Sequence, residues 1–129
     1  MDHDRQQLVG ECVLVVEDEI LVSLELESIL NDAGADVELC RTTPAALDRL
    51  KTAPITAAIL DVRLGSDTVT SVAHRLAERG IPFIFYTGQS ASDPVLAEWP
   101  DRRIVTKPAM SASIVRALAE TVGVASAER

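Results

Sequence analysis

The sequence predicts an α/β fold, a small doubly wound parallel sheet of five strands with helices packed against it. Three observations point there. Short aliphatic blocks recur along the chain, such as "CVLVV" at 12–16 and "AAIL" at 57–60, and continuous apolar runs of that length mark strands buried on both faces. Between the blocks lie stretches whose apolar residues fall at helical spacing. The 129 residues are 47% apolar, enough for one compact core, which must be aliphatic because aromatics make up only 3%. Strands alternating with helices form right-handed βαβ units and therefore a parallel sheet.

The elements follow in order. Residues 1–8 are read as a loose end, with His3 solvated. The β-branched run at 12–16 is the first strand. A helix covers 20–34, with Val22, Leu26, Ile29, Leu30 and Ala33 on one face and Gly34 as its terminating residue. "DVELC" at 36–40 alternates as a second strand. Residues 43–53 form a helix with Thr43 as N-cap and Pro44 at the first helical position. "AAILD" at 57–61 is the third strand, 70–80 a helix ending at Gly80, and "PFIFYT" at 82–87 the fourth strand. Between 88 and 101, Pro94 and Pro100 leave space for only a short helix. "RIVT" at 103–106 is the fifth strand, and 111–122 is a last helix with Ser111 as N-cap, followed by a second loose end at 124–129. No linker, repeat or low-complexity segment interrupts this, so residues 1–129 are read as a single domain with its core at about 11–122.

Composition excludes several function classes. A net charge of -8 argues against a nucleic-acid surface, which needs clustered Lys and Arg. Cys12 and Cys40 have neither zinc-site nor disulfide-framework spacing, and they start and end neighbouring strands, beyond bridging reach. No apolar run approaches the roughly 20 residues of a membrane span. The charged start "MDHDRQQLVGE" has no apolar signal segment. A cytoplasmic protein without membrane contact is expected.

In doubly wound sheets, ligands bind outside the carboxyl ends of the strands. There the sequence places Glu17, Asp18 and Glu19 after the first strand, Asp61 after the third, Thr87 after the fourth and Lys107-Pro108 after the fifth. Carboxylates brought close together need a compensating cation to stay ionised. Carboxylate, carbonyl and water oxygens are the ligand set of Mg²⁺, with Mn²⁺ the alternative. A hydroxyl at Thr87 and an ammonium at Lys107 are the donors a phosphoryl group requires. Asp61 is thus a candidate nucleophile forming an acyl phosphate. Each residue also has a plainer reading: a strand-end charge for Asp61, turn chemistry for Thr87, a surface lysine for Lys107, and an acidic first helical turn for Glu17–Glu19, which is the preferred reading of Glu19.

"VLVVEDE" (13–19), "AAILDVRL" (57–64), "IFYTG" (84–88) and "VTKP" (105–108) resemble, in order and spacing, the four motifs of bacterial response-regulator receiver domains of two-component systems. The resemblance spans about residues 11–122. It implies a flavodoxin-like (βα)5 fold with strand order 2-1-3-4-5, and phosphorylation of Asp61 by a sensor histidine kinase or a phosphotransfer protein. It implies no enzyme activity beyond the domain's own phosphorylation and dephosphorylation. Asp18 is expected to bind Mg²⁺ directly and Glu17 through water, with Asp61 and the backbone carbonyl of Arg63 completing the protein ligands. Thr87 is expected to hydrogen-bond the phosphoryl group and Lys107 to pair with it, across a cis Lys107-Pro108 bond. "RGIPFIFYTGQS" is similar to a branch of stand-alone receivers marked by Pro-Phe-x-x-x-Thr-Gly-Tyr, the FAT GUY type, with Gln89 in place of the Tyr.

Departures from the pattern carry their own expectations. Ile104 stands where such domains have an aromatic residue that moves with the Thr, so another readout is expected. Gly65 replaces the usual Pro, which should make the loop 62–69 more mobile. In such domains the positions of Arg63 and Gln89 flank the path of the water that attacks the phosphate, and Arg63 is expected to pair with Glu17 in the metal-free state. Output should pass through protein contacts or phosphorelay, from a monomer or weak dimer, with Leu21 and Leu24 either ordinary exposed leucines or a partner face, His74 solvated and Trp99 a packing residue. Two other classes compete. One is a non-phosphorylated adaptor on the same fold. The other is a Mg²⁺-dependent phosphatase with an Asp nucleophile, for which the triplet Asp61-Val62-Arg63 lacks the second Asp, and no Gly-rich phosphate loop follows the first strand.

Overall fold

The computed structural model describes residues 6–89 and 92–127; His3 lies outside them. In chain order the elements are β1 (Cys12–Val16), α1 (Ile20–Asp32), β2 (Asp36–Cys40), α2 (Thr43–Thr52), β3 (Ala57–Leu60), β4 (Arg63–Leu64), β5 (Asp67–Thr68), α3 (Thr70–Glu78), β6 (Phe83–Thr87), α4 (Pro94–Ala97), β7 (Ile104–Thr106) and α5 (Ser111–Ala127). Five strands form one parallel sheet in the order β2-β1-β3-β6-β7. This is the doubly wound, flavodoxin-like order expected, because β4 and β5 are a separate antiparallel pair.

Alternation along the strands splits the core in two. Leu14, Ala58, Leu60, Phe83 and Phe85 face α2, α3 and α4. Val13, Ala57, Ile59, Ile84 and Tyr86 face α1 and α5. Fully burying each large aliphatic or aromatic side chain contributes about 1.5–3 kcal/mol, which explains strands so uniformly apolar.

Several local expectations are corrected. The chain start is not wholly loose: Leu8 is fully buried and its N–H donates to the Ala33 carbonyl at 2.9 Å. Gly34 turns the chain under this strap at φ +99°, where a Cβ would lie 2.5 Å from Val9 Cγ2. The cap of α2 is Thr42, whose Oγ1 accepts from the Ala45 N–H, while Thr43 lies inside the helix and donates to the Thr68 carbonyl. Ser111 is likewise inside α5, whose first bonds go to the Met110 carbonyl, and the helix runs on to Ala127 rather than ending at 122. Apart from these corrections, Gly65 at φ +65° lies in the turn between the paired β4 and β5, within the segment 62–69, and Leu64 is buried.

Other expectations hold. α4 has only four residues. Cys12 pairs with Asp36 and Cys40 with Val16, so the two free thiols sit at opposite ends of their strands. Among the described residues no helix is long and apolar enough to cross a membrane.

Candidate functional site

Backbone ladders bring the candidate residues to one rim of the sheet. The Glu17 N–H donates to the Cys40 carbonyl at 3.0 Å, and the Asp61 N–H to the Val16 carbonyl at 2.9 Å. Each bond extends a strand pairing by one step. At the other side of β3, Thr87 pairs with Thr106, and the Lys107 N–H donates to the Thr87 carbonyl at 2.9 Å. The Lys107-Pro108 bond is cis, as expected.

Lys107 is the centre of the cluster. Its Nζ lies 2.7 Å from Glu17 Oε1, 3.0 Å from Asp61 Oδ2 and 3.5 Å from Glu19 Oε1. Glu17 is 1% exposed and Asp61 8%. The other oxygen of Glu17, Oε2, accepts the Glu19 N–H at 3.1 Å. Burial pushes the Glu17 carboxyl above its ordinary range; the bonds from Lys107 and the Glu19 N–H pull against this, and the nearby Asp61 charge adds to it. Burial alone would lower the Lys107 pKa, but the bonds to Glu17 and Asp61 outweigh it and hold the ammonium protonated well above the ordinary lysine range.

Thr87 is fully buried at the end of β6, and its Oγ1 accepts the Gln89 N–H at 3.1 Å. Carboxylate oxygens of Glu17, Glu19 and Asp61 lie within 4.8 Å of one another. Such a set of hard, anionic oxygens fits Mg²⁺. Asp18, expected to be the direct ligand, is not in this group; its backbone carbonyl accepts from Arg41 Nη2. Glu19, read from the sequence as first-turn charge, is in it. The available signal was its position: Glu19 is the N-cap of α1 yet its side chain makes no capping bond, so it is free to turn to the rim.

Arg63 does not pair with Glu17. Its Nη2 donates to Asp93 Oδ2 at 2.8 Å. Glu17 is buried with both oxygens engaged, whereas Arg63 opens β4 on the exposed side and faces the start of α4. Burial would raise the Asp93 pKa, but the bonds from Arg63 and the Val95 N–H bring it below the ordinary carboxylate range.

Ile104 is partly buried against the Phe83–Phe85 side of the core and pairs with Phe85 in the sheet. An aromatic ring near Lys107 comes instead from Tyr86, its centroid 5.8 Å from Nζ, with the Tyr86 hydroxyl accepting the Ala109 N–H. His74 is exposed, as expected; its Nε2 lies 3.0 Å from Glu98 Oε2 and its ring is tilted against Trp99, centroids 5.1 Å apart. Trp99 packs edge-on against Phe83, as a packing residue should. Leu21 and Leu24 are exposed. A cavity of about 670 Å³ lies at the opposite end of β6, away from this rim, lined by Phe83, Trp99 and Arg102 among others.

The sequence profile of the response regulator receiver domain matches residues 13–119. No curated protein matches the chain. Among solved structures, SdrG from Sphingomonas melonis Fr1 is 36% identical, with 89% of this chain and 98% of that one covered and a TM-score of 0.75. A response regulator receiver protein from Sinorhizobium medicae WSM419 is 27% identical over 89% of this chain and 96% of its own, with a TM-score of 0.76. A CheY-like receiver domain protein from Methanospirillum hungatei JF-1, 21% identical, covers 92% of this chain and 98% of its own at a TM-score of 0.81, a likeness of fold alone.

Proposed function

The chain belongs to the response regulator receiver domain family, and from that premise we propose that it is a single-domain phosphoacceptor whose reactive group is Asp61. A sensor histidine kinase or a phosphotransfer protein donates the phosphoryl group. An Asp61 oxygen attacks phosphorus as the donor's P–N bond breaks, and the leaving imidazole nitrogen keeps the electron pair. Lys107, already paired with Asp61, is positioned to hold the phosphoryl oxygens once Asp61 carries the acyl phosphate. The buried Thr87 hydroxyl is the neutral donor to the same group. Glu17, Asp18, Asp61 and the Arg63 carbonyl would hold Mg²⁺, with Glu19 closing the set. When bound, the ion offsets the rim's negative charge and that of the phosphoryl oxygens. The domain turns over no separate substrate. It acts in the cytoplasm through protein contacts or phosphorelay, as a stand-alone receiver of the FAT GUY type.

The observation that carries this reading is the Lys107 ammonium held at 2.7 Å from buried Glu17 and 3.0 Å from Asp61 at the carboxyl rim. Incubation with acetyl phosphate and MgCl₂ should add one phosphoryl group by intact mass. Asp61→Asn or EDTA should abolish the addition. Ile104 favours the adaptor reading, and failure to phosphorylate under any donor would decide for it.

A further inference from the structure

Asp93 lies outside the rim yet is tied to it. It is buried, and it precedes the four-residue helix α4. Its Oδ1 accepts the Val95 N–H at 2.9 Å, which fixes the start of the helix, and its Oδ2 accepts from Arg63 at 2.8 Å. One carboxylate thus joins two elements. A helix this short has too few internal bonds to stand without its cap and its packing. That packing is Val95 and Leu96 against the core, with the Trp99 N–H bonded to the Leu96 carbonyl.

Arg63 is two residues beyond Asp61, so their Cα atoms lie within about 7 Å. A phosphoryl group on Asp61 would add about -1.5 to -2 charge to a rim that already holds Glu17, Asp18 and Glu19. Lys107 is already shared among three carboxylates. Arg63, two residues on, has a side chain 43% exposed and a guanidinium fork suited to phosphoryl oxygens.

We propose that the Arg63–Asp93 pair is a charge latch between the site and α4: phosphorylation of Asp61 draws Arg63 onto the phosphoryl oxygens, Asp93 loses its counter-ion, and the start of α4 comes away, uncovering Val95 and Leu96. The latch rests on the phosphoacceptor reading. It supplies a readout that needs no aromatic residue at position 104.

Amide hydrogen exchange across residues 95–99, together with the fluorescence of Trp99, the single tryptophan, tests it. The wild-type protein is compared before and after treatment with acetyl phosphate and Mg²⁺, and intact mass reports the phosphoryl group in the same sample. Phosphorylated protein should exchange at 95–99 roughly tenfold faster or more, the loss of one charge-assisted bond. Arg63→Ala should exchange fast without phosphorylation and gain nothing from it. A phosphoryl group present with unchanged exchange in the wild-type protein overturns the latch alone. So does an Arg63→Ala protein that keeps slow exchange and still responds. No phosphoryl group on Asp61 overturns the phosphoacceptor reading and the latch with it.

Discussion

Lys107 and Glu17 depend on each other. Truncating Lys107 to Ala leaves a buried carboxylate without its counter-ion, and breaking a buried pair from one side costs about 3–5 kcal/mol, less where the survivor can take up a proton. Lys107→Ala should therefore lower the urea midpoint clearly, and adding Glu17→Gln should recover much of the loss. Asp93 makes a prediction in pH. Its folded pKa is depressed, so its pairing contributes stability that is full above its unfolded value of about 4 and is lost as pH falls through the folded value. The margin of the wild-type protein over Asp93→Asn, about 1–2 kcal/mol with the half-exposed guanidinium allowed for, should hold at neutral pH and shrink only in the acid limb of a pH–stability curve. Asn still caps α4, so the difference isolates the charge. That Asp61, Thr87 and Lys107 stand at strand ends was legible in the sequence. That Arg63 chooses Asp93 over Glu17 was not, because the choice depends on Glu17 being already paired with Lys107, which is distant in sequence.

At the scale of elements, long periodic segments were readable and short ones were not. β4 and β5 have two residues each, too few to show a period, and they form because Gly65 adopts φ +65°. Gly65→Pro, which would restore the residue usual in receiver domains, should destabilise the protein by about 1–3 kcal/mol, since proline is confined to φ near -65°. A thermal melt would show it. Gly34→Ala should cost more than its conformation alone, because the new methyl meets Val9. In "RTTPAA" two adjacent threonines compete for the α2 cap, and Thr43 is withdrawn by its bond to the Thr68 carbonyl.

For the whole molecule, the rim is an electrostatic compromise in which one lysine serves three carboxylates. A cation bound only by the folded chain stabilises it by mass action. Mg²⁺ should accordingly raise the melting temperature of the wild-type protein, and raise that of Asp61→Asn by less; equal shifts would place the ion elsewhere. The alternation of aliphatic runs with helical stretches was enough to specify the doubly wound sheet and the rim where the site lies. Side-chain period and crossover handedness are properties of the local chain, and they leave few arrangements open. The folded structure alone determined that Glu19 stands beside Glu17 and Asp61, that Leu8 closes over α1, and that Arg63 bridges to α4. Those outcomes turn on where a side chain points after its strand ends, and that direction follows from competition among neighbours the fold assembles from distant parts of the sequence.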